Sequence, residues 1–62
     1  MMLVHNIKTR CKEQNLSLSE LEEKAGLGTR TIYRWDDSLP SADKLIRVAK
    51  ILNTTAEELM AQ

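Results

Sequence analysis

Between Ser17 and Trp35 the chain spells out a short helix, a glycine turn and a second short helix, and no other stretch limits its folding so tightly. Ser17 and Glu20 have the S-x-x-E spacing of a capping box, in which hydroxyl and carboxylate each take a free N–H of the first turn. Leu16 before the cap and Leu21 at the fourth helical position fit a hydrophobic staple. Gly26, directly after Ala25, supplies a positive φ without steric penalty and so ends the helix. Leu27 can then fold back on Leu21. The second helix is expected over residues 29–35. At about 100° per residue, Thr29, Arg30, Tyr33 and Arg34 share an arc of about 140°, with Thr31, Ile32 and Trp35 on the opposite side.

Sixty-two residues allow one domain, taken as 1–62, with a modest core. An apolar content of 42% is enough for a globular chain rather than a disordered one. Tyr33 and Trp35 are the aromatic residues, so the core must be aliphatic, with Trp35 expected in it between the third helix and the first and fourth. A single cysteine, Cys11, forms no internal disulfide, and with one histidine it builds no zinc site of ordinary ligand count. Cys11 reads as a small buried apolar residue and His5 as surface polar. No long apolar stretch follows the start Met1 to Val4, and no run approaches membrane-spanning length. The expectation is a cytoplasmic protein with no membrane partner. No nucleophile–base pair, metal cluster or glycine-rich phosphate loop is present, so no enzyme, metal or cofactor is expected.

The remaining elements complete an all-α reading, since nothing alternates with period two for more than a few residues. Five helices are expected, at about 5–14, 18–25, 29–35, 42–52 and 56–61. The first has Val4, Ile7 and Cys11 at i, i+3 and i+7, and Asn15 suits a left-handed stop. Asp36, Asp37 and Ser38 end the third, with Pro40 beyond. The fourth follows Ser41 as N-cap, carries Asp43 in its first turn and turns Leu45, Val48, Ala49 and Leu52 inward, with Asn53 as its stop. Thr55 and Glu58 form a second capping box. Leu59 and Met60 serve the core or a dimer contact, the core being favoured. Ile46 and Ile51 fall outside the inner stripe and are candidates for a partner surface.

Two short helices about a tight turn, the second bearing donors on its outer side, have the layout of a helix-turn-helix whose second helix enters the DNA major groove. Arg30 and Arg34 are the main base-reading candidates, since Arg donates two hydrogen bonds to guanine O6 and N7. Thr29 can meet a thymine methyl, and Tyr33 can reach the backbone or pack on a base. The plainer account is two solvated arginines paired with Glu22 or Asp37, a simple helix-start threonine, and a surface tyrosine covering Arg30. Ser17, Ser19, Ser38, Ser41 and Lys44 are phosphate candidates, because the starts of the second and fourth helices offer free N–H groups to anions. Plain capping is the alternative. Net charge is zero, but it comes in blocks: Lys8, Arg10 and Lys12, then Glu13, Glu20, Glu22 and Glu23, then Lys24, Arg30 and Arg34. Such blocks can hide a basic face, while the neutral total predicts weak non-specific binding.

The order L-S-E-L-x-x-x-A-G-L (18–27), T-I-Y-R-W (31–35), P-S-x-x-K-L (40–45) and A-x-x-L-x-x-x-x-x-E-L-M (49–60) resembles the Cro/CI-type (XRE-like) helix-turn-helix domain of bacterial and phage regulators. The resemblance runs from about Asn6 to Met60. It implies a lambda-repressor-like five-helix bundle that binds a near-palindromic double-stranded operator as a weak homodimer and acts as a transcriptional repressor. The alternative is an antitoxin-like or protein-interaction module on the same fold. Four departures stand out. Leu18 replaces a frequent phosphate-touching Gln. Glu22 stands where the family prefers a small residue, so its stem must lie along the third helix. Gly28 replaces a Ser or Thr cap. Cys11 replaces an Arg that often pairs with the acid after the third helix, which leaves Arg10 to reach Asp36 or Asp37.

Overall fold

A computed structural model describes residues 2–61. It contains α1 (Leu3–Glu13), α2 (Leu18–Lys24), a 3₁₀ helix (Ile32–Asp36), α3 (Ala42–Ile51) and α4 (Ala56–Met60), with no strand among the described residues. The all-α reading stands. The five-helix count is corrected to four α-helices, because a 3₁₀ helix beginning at Ile32 replaces the third expected α-helix. No helix among the described residues is long and apolar enough to cross a membrane.

Helices α1, α2 and α3 stop by one device. Asn15, Gly26 and Asn53 take φ of 54°, 71° and 57°. In each case the next N–H bonds back to a carbonyl five residues earlier: Leu16 to Cys11, Leu27 to Glu22 and Thr54 to Ala49, at 2.8–2.9 Å. This left-handed stop satisfies the last carbonyls of a helix and turns the chain sharply. At the front of α2 the capping box is complete, with the Ser17 hydroxyl accepting from Glu20 N–H at 3.0 Å and the Glu20 carboxylate accepting from Ser17 N–H at 3.2 Å. The second box is only half made. Thr55 accepts from Glu58 N–H at 3.1 Å, but the Glu58 carboxylate turns to Arg10 and Thr54. Ser41 occupies the N-cap of α3 without a side-chain cap bond.

α1 is the hub: the 3₁₀ helix, α4 and α2 pack on it, and α3 closes the bundle against α2 and α4. The core comprises Leu3, Val4, Ile7, Cys11, Leu21, Ala25, Ile32, Trp35, Val48, Ala49, Leu52 and Leu59. Leu3 and Val4 fall inside α1, which begins two residues before the expected start. Met2 caps it with no side-chain bond, so burial rather than capping chemistry starts this helix. Ile51 packs against the core and is withdrawn from the partner-surface candidates, whereas Ile46 is exposed.

Side chains from one helix hold the carbonyl ends of another. Arg47 Nη1 donates to Ala25 O at 2.9 Å, Gln14 Nε2 to Leu52 O at 2.6 Å, and Asn6 Nδ2 to Leu59 O at 2.8 Å. Arg10 does not reach Asp36 or Asp37. It pairs with Glu58 at 2.7 Å, and Asp36 Oδ1 instead accepts a long 3.4 Å bond from Val4 N–H at the start of α1.

Candidate nucleic-acid interface

The chain leaves α2 through Gly26, whose added Cβ would find room but not a relaxed backbone at φ 71°. Residues 28–31 then form a turn instead of the first turn of an α-helix. Gly28 offers no side-chain acceptor, and its carbonyl accepts from both the N–H and the hydroxyl of Thr31, at 3.2 and 2.7 Å. The β-branched Thr29, Thr31 and Ile32 are weak helix formers, as are Tyr33 and Trp35. Arg34 N–H bonds to Thr31 O and Asp37 N–H to Arg34 O, both at 3.1 Å, and these three-residue steps wind the segment as 3₁₀ rather than α.

Glu22 completes the turn. It is 4% exposed, and it is the buried charged residue of the described chain. Its Oε1 accepts from Arg30 N–H at 3.0 Å and its Oε2 from Ile32 N–H at 3.1 Å. Both oxygens face backbone donors, so burial leaves no carboxylate oxygen unsatisfied. Arg30 takes φ 66°, a conformation that costs a non-glycine residue about 1–2 kcal/mol. Two hydrogen bonds to an ionised group, each about 1.5–3 kcal/mol, outweigh that penalty. The expected lie of Glu22 along the third helix is thus replaced by a carboxylate laid across two N–H groups at its start.

The division of faces survives the change of helix type. Ile32 and Trp35 are buried, Thr31 is half-buried, and Thr29, Arg30, Tyr33 and Arg34 are exposed. Among the described residues neither Arg30 nor Arg34 forms an ion pair, so the plainer account of arginines matched to Glu22 or Asp37 finds no support. Arg30 does stand beside Tyr33, with its guanidinium carbon 6.0 Å from the ring centroid. Lys8 of α1, missing from the sequence-based candidates, places its ammonium 5.2 Å from the same centroid. Cations this near a ring face are attracted to it, by about 0.5–1 kcal/mol where exposed.

Four of the candidates share one open cleft of about 220 Å³ between the 3₁₀ helix and the start of α3: Arg34, Ser38, Ser41 and Lys44, with Thr31 and Trp35 beside them. Two cations, hydroxyl groups and a helix start without a side-chain cap suit an anionic backbone. Ser19 and Thr29 line a second cleft of about 290 Å³, but Glu22 and Glu23 line it too, which makes it a poorer place for phosphate. Ser17 lines neither cleft, and its hydroxyl serves the cap of α2. No sequence signal marks Lys8, whose relation to Tyr33 is set by how α1 crosses the 3₁₀ helix. Glu22 was signalled, by an acid in a small-residue position six residues before a glycine in place of a cap.

A family model described as helix-turn-helix matches residues 7–59, which takes in α1, α2, the turn, the 3₁₀ helix, α3 and most of α4. No curated protein sequence matches the chain.

Proposed function

The chain belongs to the Cro/CI-type (XRE-like) helix-turn-helix family of DNA-binding domains, and from that premise we propose that it is a sequence-specific transcriptional regulator, a repressor, that lays residues 29–34 in the major groove. The observation that carries the reading is the exposed quartet Thr29, Arg30, Tyr33 and Arg34, backed by buried Ile32 and Trp35 and carrying two arginines without acidic partners among the described residues. Arg30 and Arg34 read guanine edges, Thr29 and Tyr33 add methyl, base or backbone contacts, and Ser38, Ser41 and Lys44 hold phosphate beside Arg34. Ser17 and Ser19 at the start of α2 add weaker phosphate contacts. With zero net charge, few counterions are released, so non-specific binding is weak and useful affinity comes from a weak homodimer. Two such domains place their recognition segments about 34 Å apart on a near-palindromic operator.

In-vitro selection of bound DNA at low salt is the test, and it yields motif and half-site spacing together. Enrichment of a near-palindrome supports the reading, and failure to enrich any motif sinks it. Arg30→Ala with Arg34→Ala removes contacts worth about 1–3 kcal/mol each. DNA binding should be lost while the thermal melt is kept.

The second reading, an antitoxin-like or protein-interaction module, draws on the exposed Ile46 and the neutral total charge. The same double variant separates the two, because DNA binding left unchanged by it supports the module.

A further inference from the structure

Resting on that DNA-reading proposal, we infer that Glu22 is the positioning residue of the recognition segment and sets which base Arg30 prefers without touching DNA. The two carboxylate oxygens take N–H groups two residues apart, at Arg30 and at Ile32, 3.0 and 3.1 Å away. The intervening Thr31 is thereby bridged, and the Thr29–Arg30 and Thr31–Ile32 peptide planes, which carry those N–H groups, are held. With its N–H held, Arg30 adopts φ 66°, and the bond to its Cβ leaves the backbone in a direction that no helical residue shares. That direction brings the guanidinium over the Tyr33 ring, 6.0 Å from its centroid. Gly28 has no side-chain acceptor to hold these donors, so the lock depends on a residue of α2, eight and ten positions earlier in the chain. Glu22 is 4% exposed, and its carboxylate is taken up by the two backbone N–H groups of the segment. Its influence on DNA therefore passes through the Arg30 backbone.

A glutamine keeps the size of Glu22 but offers only one acceptor oxygen, and its amide group meets the second N–H donor to donor. In Glu22→Gln the helical circular dichroism is retained and the Arg30 and Ile32 amides exchange with solvent roughly tenfold faster. The preference for the selected base over its competitors at the position read by Arg30 falls about tenfold. Non-specific binding at low salt stays within about twofold, since no phosphate contact is removed. The decisive arm is a cycle with Arg30→Ala. Adding Glu22→Gln to Arg30→Ala brings no further loss of base preference, because Glu22 acts through Arg30. A purely structural role would add its loss in full and would lower specific and non-specific binding together, and that result overturns the proposal. Unchanged exchange at the two amides, or an unchanged base preference in Glu22→Gln, overturns it as well. If Glu22→Gln does not fold, Glu22→Ala, which leaves both N–H groups to water, carries the same measurements. Two unfolded variants would show that Glu22 serves the whole fold and not the segment. A wild-type chain that enriches no motif defeats the operator reading and the link to base choice with it, and the amide measurement then tells that failure apart from a failure of the carboxylate lock.

Discussion

α2 and the 3₁₀ helix lie eight residues apart in the chain and are held in place by opposite means. α2 is closed mainly by nearby residues: Ser17 and Glu20 cap its front, and Gly26 with Leu27 closes its end, with Arg47 of α3 adding a bond to Ala25 O. The 3₁₀ helix has no side-chain cap of its own. Its start is pinned by the Glu22 carboxylate, and its body by two buried side chains, Ile32 and Trp35. A locally capped helix carries its start and stop signals with it, although at seven residues it still needs packing to persist. A remotely pinned one exists only when its neighbours are already packed. The half proposed to meet DNA is thus the half held from outside, while α2 supplies the platform.

The largest expected effect falls on the remotely pinned half. Trp35→Ala should cost about 3–5 kcal/mol, a large share of what a domain of this size has. A urea or thermal melt showing a loss under about 1 kcal/mol would erase the distinction between the two halves. Next is Gly26→Ala. The new Cβ meets nothing closer than Arg47 Nη1 at 3.7 Å, so the expected loss of about 1–2 kcal/mol comes from backbone strain alone. Ser17→Ala should cost about 1 kcal/mol and leave base preference intact, because the α2 cap is local. A shift in the selected motif would show that platform and reader are coupled after all. Tyr33→Leu should change stability by no more than about 1 kcal/mol, since ring and cations are exposed. A loss as large as that of Trp35→Ala would place Tyr33 in the core. The smallest effect is a pH dependence. Burial pushes the Cys11 thiol up, so the folded chain holds that proton more tightly than the unfolded one. Its contribution is therefore fully present at neutral pH and is lost as the pH rises through the alkaline range. Melts of the wild type should weaken there more than those of Cys11→Ala.

The local half was also the legible half. A capping box, a glycine stop and two asparagine stops each depend on residues within five positions of one another, and each stands as read. The buried pair Ile32 and Trp35 was legible for a related reason: three residues apart they share a side in an α-helix and in a 3₁₀ helix alike. What local sequence does not encode involves longer separations. The bonds from Glu22 join residues eight and ten apart, and the partner of Arg10 lies 48 positions away. The left-handed Arg30 has no glycine or asparagine to announce it. Leu3 was missed because its helix starts without a cap signal, on burial alone. The exposure of Thr29, Arg30, Tyr33 and Arg34 followed from the buried pair, whereas the meeting of Lys8 with Tyr33 depends on a helix crossing that periodicity does not encode.

The polar side chains that hold the carbonyl ends have a consequence for cooperativity. Arg47 of α3 holds the end of α2, Gln14 just past α1 holds the end of α3, and Asn6 of α1 holds the end of α4. Fraying of α1 or α3 therefore withdraws a donor from the end of another helix, so neither can loosen without loosening a neighbour. Melting becomes all-or-none. Three residues that look like interchangeable surface polar groups are then constrained by the carbonyls they hold, and drift at any of them registers as a change in the sharpness of the transition.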